Sequence, residues 1–276
     1  MEKRSKFNVA ISIIIAILLI ATIITRLGLD IPNLVVFKMV FYFSLAIFGW
    51  VHGIKRYGFK NMFIWFIVTW IISNFFEGLS VKMGFPFGNY HYTAPGPRIF
   101  EVPVYIMIAY FGIVYVSWTV TQSLLAQFNE KIQGFMKFVL PISTAIVMTM
   151  WDLSTDVVSS QLVKTWIWED GGGFFGVPIS NFVGWVFVVY CFMQVFTLFI
   201  SNKNYDVSKD NVTSKKVYWL QATIVYLIMG LGLVLEGFTQ KNNVDIYQSM
   251  AMISVFTVVF VSIVAINNII KNKELR

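Results

Sequence analysis

Hydrophobic residues occupy this chain in eight long blocks, which polar or Gly- and Pro-containing segments separate. A helix needs about 20 mostly apolar residues to cross the hydrocarbon core of a bilayer. Blocks of that length lie at residues 7–25, 33–54, 60–80, 102–124, 136–159, 179–201, 216–237 and 247–270. The pattern predicts an all-α, polytopic transmembrane bundle of about eight spans, with residues 1–276 forming a single integral membrane domain.

Composition supports a membrane protein and disfavours several other classes. Of the 276 residues, 57% are hydrophobic and only 13% are charged, with a mean hydropathy of +0.71, whereas a soluble domain carries about 25% charged residues. The basic segment 1–6 precedes an apolar run without a small-residue cleavage site, which favours a first anchor over a removed signal peptide. The single cysteine, Cys191, allows no internal disulfide and no Cys/His metal motif.

Charge asymmetry predicts the orientation of the spans. With an even number of spans both termini share one side, and 15 of the 21 Lys and Arg residues fall on that side. Cytoplasmic loops carry the excess of basic residues, so both termini are predicted to be cytoplasmic. The net charge of +7 then reflects these loops rather than nucleic-acid binding. The long connections 81–101 and 160–178 are predicted to be outer.

Two of the apolar spans carry polar stripes in their outer halves. In the fifth span, Thr149, Asp152, Asp156 and Ser159 have spacings of three, four and three, which place them on one helical face. An ionisable group at this depth costs at least about 2.5–3.5 kcal/mol, so the aspartates are predicted to be functional. The only basic residue of this span, Lys137, lies at its opposite end.

The third span repeats the pattern with Thr69, Ser73, Glu77 and Ser80. If the two stripes face each other, three carboxyl groups share one pocket, and at least one can stay protonated near neutral pH and serve as an acid. Elsewhere, His52 is expected at the membrane interface, and Glu236 is expected at a solvated helix end.

The two outer connections are rich in aromatic residues, Gly and Pro. Tyr90 and Tyr92 alternate in the first, as do Trp166 and Trp168 in the second, so each pair is expected on one side of an extended segment. An aromatic belt at the lipid interface accounts for many such residues. The Gly- and Pro-built turns instead favour a cover over a pocket.

These motifs resemble a known family, the membrane-bound carotenoid hydratases or "carotenoid biosynthesis protein" family, which includes γ-carotene and bisanhydrobacterioruberin hydratases. The resemblance covers residues 70–190 by motif, and its most specific part is the block FGVPISNFVGW. One departure is Val157, where the family tends to have proline after the second aspartate. The motif residues are Gly84, Pro86, Phe87, Gly88, Tyr90, Tyr92, Val102, Pro103, Trp151, Asp152, Asp156, Trp166, Trp168, Gly176, Val177, Pro178, Asn181, Phe182, Gly184 and Trp185.

The resemblance implies a hydro-lyase that adds water across the terminal double bond of an acyclic (ψ) carotenoid end. It implies Asp152 or Asp156 as the acid, with Glu77 or Glu101 as its partner, and no cofactor or metal. The expected partners are a carotenoid within the bilayer, membrane lipids and other carotenoid-pathway enzymes, in the cell membrane and without nucleic acid. The side chains expected to bind substrate are Tyr90, Tyr92, Trp151, Trp166, Trp168, Phe175, Asn181 and Trp185.

Three alternatives remain at this stage. An integral membrane lycopene cyclase would use the same acid and capture the cation differently. An intramembrane prenyltransferase would use Asp152 and Asp156 as a DxxxD motif, although the outer side is poor in basic residues. A transporter would couple to the same aspartates, but no inverted repeat supports one.

Overall fold

The eight predicted spans are confirmed, with helix ends a few residues from the predicted positions. The computed structural model describes residues 2–29, 31–128, 131–203, 205 and 214–275. The orientation and the single domain stay predictions, and Lys209 and Arg276 of the charge count lie outside the described residues. The helices are α1 (Glu2–Arg26), α2 (Leu34–Tyr57), α3 (Phe59–Met83), α4 (Val104–Leu124), α5 (Met136–Val157), α6 (Ile179–Ile200), α7 (Lys215–Thr239), α8 (Val244–Ser254) and α9 (Phe260–Lys271), the last two together forming the eighth span.

Helix α4 forms the centre of the bundle. Every residue from Ala109 to Ser123 is buried. Helices α2, α3, α6, α5, α8, α7 and α1 follow one another around α4, each packing against the next, and α1 returns to α2. Because this ring shields α4 from lipid, the polar side chains of α4 must find their hydrogen-bond partners inside the protein.

Glycines allow α2 and α4 to approach closely. A Cβ atom added at Gly112 of α4 would lie 2.8 Å from the backbone nitrogen of Ala46 in α2. On the opposing helix, a Cβ added at Gly49 would meet side chains, those of Tyr115 at 3.3 Å and Phe111 at 3.4 Å. Small residues of this kind let membrane helices gain packing where no hydrophobic driving force joins them.

Two spans contain a π-helical turn that the apolar pattern does not predict. One extends α5 over Val158–Leu162, and the other joins α8 to α9 over Val255–Val259. A π turn adds a residue to the helical repeat and rotates the following side chains. The first begins two residues after Asp156, and Ser160 within it donates a hydrogen bond to the backbone oxygen of Asp156 at 2.9 Å.

The two outer connections meet in a short antiparallel ribbon. Strand β1 (Tyr90–Tyr92) pairs with β4 (Trp166–Trp168), so that Tyr90 lies opposite Trp168 and Tyr92 opposite Trp166. Strands β2 (Arg98–Ile99) and β3 (Val102–Pro103) form a second small pair. Tyr90 and Tyr92 are both buried while the intervening His91 is exposed, as their alternation predicts. The β1–β4 ribbon therefore turns its tyrosines toward the helices.

The solvated helix end expected for Glu236 is wrong, and His52, expected at the membrane interface, is enclosed by other helices. The His52 side chain is fully buried, its ring stacks on Tyr218 at 3.9 Å, and Nδ1 lies 2.6 Å from the Tyr115 hydroxyl. Glu236 is buried and forms an ion pair with Arg26. Both residues lie near helix ends, but neighbouring helices cover them, and a position along one helix does not reveal this.

The predicted orientation can be tested with cysteines on opposite faces. In a Cys191→Ser background, we expect His91→Cys on the outer ribbon to react with a membrane-impermeant maleimide in intact cells. Gln133→Cys, which is exposed at the opposite end of the bundle, should react only after lysis. The reverse pattern would place the termini outside.

The close contact at Gly112 predicts a stability difference between two glycines of one interface. Gly112→Ala forces a methyl group against backbone, so we expect it to destabilise the protein by about 1–3 kcal/mol. Gly49→Ala serves as the matched control, because a side chain there can adjust. Thermal unfolding in detergent measures both, and equal midpoints would contradict close packing at Gly112.

Candidate active site

Three carboxyl groups lie buried in the half of the bundle next to the β1–β4 ribbon. Glu77 of α3 is 4% exposed, and Asp152 and Asp156 of α5 are 3% and 2% exposed. Among the described residues, no Lys or Arg lies within ion-pair distance of any of them. A buried charge without a counter-charge needs hydrogen bonds from neutral donors, and the surrounding elements provide these.

Glu77 accepts hydrogen bonds from three tyrosine hydroxyls. Tyr90 and Tyr92 of the β1–β4 ribbon donate to Oε2, the latter at 2.9 Å, and Tyr110 of α4 donates to Oε1 at 2.5 Å. Burial and the charge of Glu77 raise the pKa of Tyr90 and of Tyr92 well above the usual tyrosine value. The tyrosines therefore remain neutral donors, and their three hydrogen bonds favour the charged form of Glu77 against the opposing effect of burial.

Asp152 and Asp156 share one amide group. The Nδ2 atom of Asn181, on α6, donates to Asp156 Oδ2 at 2.6 Å and to Asp152 Oδ2 at 3.2 Å. The Trp168 indole donates to Asp156 Oδ1 at 3.4 Å, and the ring of Trp166 packs against Tyr92 with 6.2 Å between centroids. Asn181 of α6 thus joins the two aspartates, and Trp168 of the ribbon contacts Asp156.

The ribbon and Tyr110 connect Glu77 to the aspartate pair. The Tyr90 ring, whose hydroxyl binds Glu77, packs 4.9 Å from the ring of Trp168, whose indole binds Asp156. Asp152 also interacts electrostatically with Glu77. The ribbon therefore contacts both Glu77 of α3 and Asp156 of α5.

An aromatic wall borders this site. Tyr110 and Trp185 of α6 stack with their ring centroids 4.7 Å apart and their planes 2° apart. Trp185 also lies beside Phe87 of the first outer connection. The carboxylates therefore border π-faces from a helix and from the ribbon, and such faces attract a cation.

Three residues predicted to belong to the site, Glu101, Phe175 and Trp151, have no hydrogen bond to the buried carboxyl groups among the described contacts. The Glu101 side chain is 69% exposed and lies 3.8 Å from Arg98, so the structure does not bring it to the buried carboxyls. Phe175 is 44% exposed, and Trp151 is buried in the general core. Tyr110 is a further residue of this cluster that was not predicted from the sequence, although a tyrosine in a buried span is itself a signal.

The chain matches the model of a known protein family. A family model described as "Carotenoid biosynthesis protein" matches residues 33–239. The chain belongs to this family. No reviewed protein and no solved structure matches it significantly. The matched segment includes the carboxylates, the ribbon, Tyr110 and Asn181, and membership indicates an enzymatic role in carotenoid biosynthesis, without specifying the reaction.

The hydrogen bonds to Glu77 predict a measurable dependence of stability on its charge. In Glu77→Gln the new amide cannot accept from all three tyrosines, and unmet buried donors cost about 1–3 kcal/mol. We expect a lower midpoint of thermal unfolding in detergent. Glu101→Gln, at an exposed carboxylate, should leave the midpoint unchanged. Equal behaviour of the two variants would contradict the buried network.

Proposed function

We propose that this protein is a carotenoid hydratase of the cell membrane that adds water to the terminal double bond of an acyclic carotenoid end. One observation carries the proposal. Three desolvated carboxyl groups are hydrogen-bonded by neutral donors and bordered by aromatic rings in the part of the chain that the structure describes. Such a site can hold a proton at an acid and can stabilise a positive charge.

The proposed chemistry requires these groups and is balanced without a redox partner. A carboxylic acid gives its proton to the less substituted alkene carbon, and the tertiary carbon becomes a cation. Water attacks that carbon and gives up a proton, which restores the acid. The Tyr110–Trp185 stack and the Tyr90–Trp168 contact offer aromatic faces for the cation. The ribbon limits entry of bulk water, which keeps the electrostatic interactions strong.

The aspartate pair gives a reason to prefer hydration over cyclisation. A cyclase would generate the same cation but would capture it with another double bond of the substrate, which needs an apolar neighbour. Here the groups beside the acid are polar, because the Asn181 amide lies within hydrogen-bond distance of both aspartates. Polar groups in this arrangement are suited to hold a water molecule.

The test is expression in hosts that accumulate different acyclic carotenoids, with mass analysis of the pigments. We expect products that are heavier by one or two waters. Isomers of unchanged mass would indicate a cyclase instead. An unaltered pigment profile with every acyclic carotenoid would sink both functions.

The aspartates are then expected to be essential. Since general acid–base groups contribute about 10²–10⁴-fold to rates, conversion by Asp152→Asn and by Asp156→Asn should fall at least about 100-fold. Membrane insertion should be preserved, as judged by the amount of monodisperse protein extracted in detergent. Glu169→Gln, an outer carboxylate with 53% of its side chain exposed, is the control and should convert normally. Full activity in both aspartate variants would remove these residues from the mechanism.

A further inference from the structure

The two aspartates receive different hydrogen bonds, and this difference points to different catalytic roles. We infer that Asp152 is the proton donor, that Asp156 is the base that takes the proton from water, and that Asn181 is the residue that positions both. The inference rests on the proposed hydratase function and assigns roles within that site.

Hydrogen bonds distinguish the two carboxyl groups. Asp156 receives the shorter bond from Asn181, at 2.6 Å, and its other oxygen receives the Trp168 indole at 3.4 Å. Among the described residues, Asp152 receives one side-chain hydrogen bond, the longer one from Asn181 at 3.2 Å. Donors directed at a carboxylate favour its charged form. When the pair holds one proton, Asp156 is therefore the better-stabilised anion and Asp152 carries the proton.

The charge of Glu77 strengthens this asymmetry. Glu77 accepts three hydroxyl hydrogen bonds, which favour its charged form. When Glu77 is charged, its negative charge acts on Asp152, and a neighbouring like charge disfavours ionisation of a carboxyl group. We assign no proton transfer to Glu77, because most of its acceptor positions are occupied by tyrosine hydroxyls. It is left to stabilise the developing cation electrostatically.

The steps follow from these assignments. The O–H bond of Asp152 breaks as a C–H bond forms at the less substituted alkene carbon, and the positive charge falls on the tertiary carbon. A water molecule forms a C–O bond to that carbon and gives one proton to Asp156. That proton passes from Asp156 to Asp152 across the pair. The net change is one water added to one double bond.

The test separates protonation from water capture by using deuterium. Membranes containing the full-length protein are incubated in D₂O with an acyclic carotenoid that the wild type hydrates. The alcohol and the recovered alkene are then analysed by mass spectrometry. A cation that forms and loses a proton again returns as alkene carrying deuterium, so exchange into the alkene reports the acid alone.

We expect opposite signatures from the two isosteric variants. Asp152→Asn should lose both hydration and deuterium exchange, each at least about 100-fold, because the donor is absent. Asp156→Asn should lose hydration to a similar extent while its recovered alkene still gains deuterium. Deuterium exchange into the alkene that survives in Asp152→Asn, or that disappears in both variants, would overturn this assignment of roles.

A milder substitution tests the same assignment in case the aspartate variants fail to fold, and a neighbouring substitution is its control. Trp168→Phe removes one donor from Asp156, so we expect hydration to fall by about tenfold or more while exchange into the alkene persists. Ile167→Val, at the outward-facing residue beside it in the ribbon, should behave like the wild type. Equal loss of exchange and hydration in Trp168→Phe would contradict the role of Asp156. Absence of any alcohol with the wild type would instead refute the hydratase function itself.

Discussion

The outer half of this protein depends on one constraint, the burial of three carboxyl groups in an apolar bundle without a partner cation in the described part of the chain. Each such group costs at least about 2.5–3.5 kcal/mol at membrane depth unless the protein compensates it. Compensation comes from every neighbouring element: α4 contributes Tyr110, α6 contributes Asn181, and the β1–β4 ribbon contributes tyrosine and indole donors. The arrangement of these elements follows from that need.

The same constraint explains why the outer connections fold back onto the helices. A loop that reached outward would leave Glu77 without two of its three donors and Asp156 without the Trp168 indole. Close approaches hold the connections in place, since a Cβ atom at Gly184 of α6 would lie 2.7 Å from the Phe87 ring. Ser180 of α6 donates to the backbone oxygen of Phe87 at 3.0 Å. The cover is thus anchored to the helix that also carries Asn181.

Structural features that depend on a single segment of the chain could be predicted from the sequence. Apolar block length predicted the spans, the spacing of Asp152 and Asp156 predicted a shared helical face, and alternation predicted that Tyr90 and Tyr92 point the same way. Packing contacts between segments could not be predicted in this way. The bridging by Asn181 depends on how α5 and α6 pack, and the exposure of Glu101 depends on a turn in which its backbone φ is 66°. The buried position of His52 depends in the same way on α4 and α7.

The charge of the site narrows the chemistry that it can support. A diphosphate group would need basic side chains or bound cations, and the described residues place no Lys or Arg in ion-pair contact with the aspartates. An anionic transition state would be repelled by Glu77. A carbocation is the opposite case, because preorganised negative charge and aromatic faces stabilise it without rearrangement. Among reactions that pass through such a cation, the outcome depends on what occupies the space beside it, and the polar aspartate–asparagine group favours water.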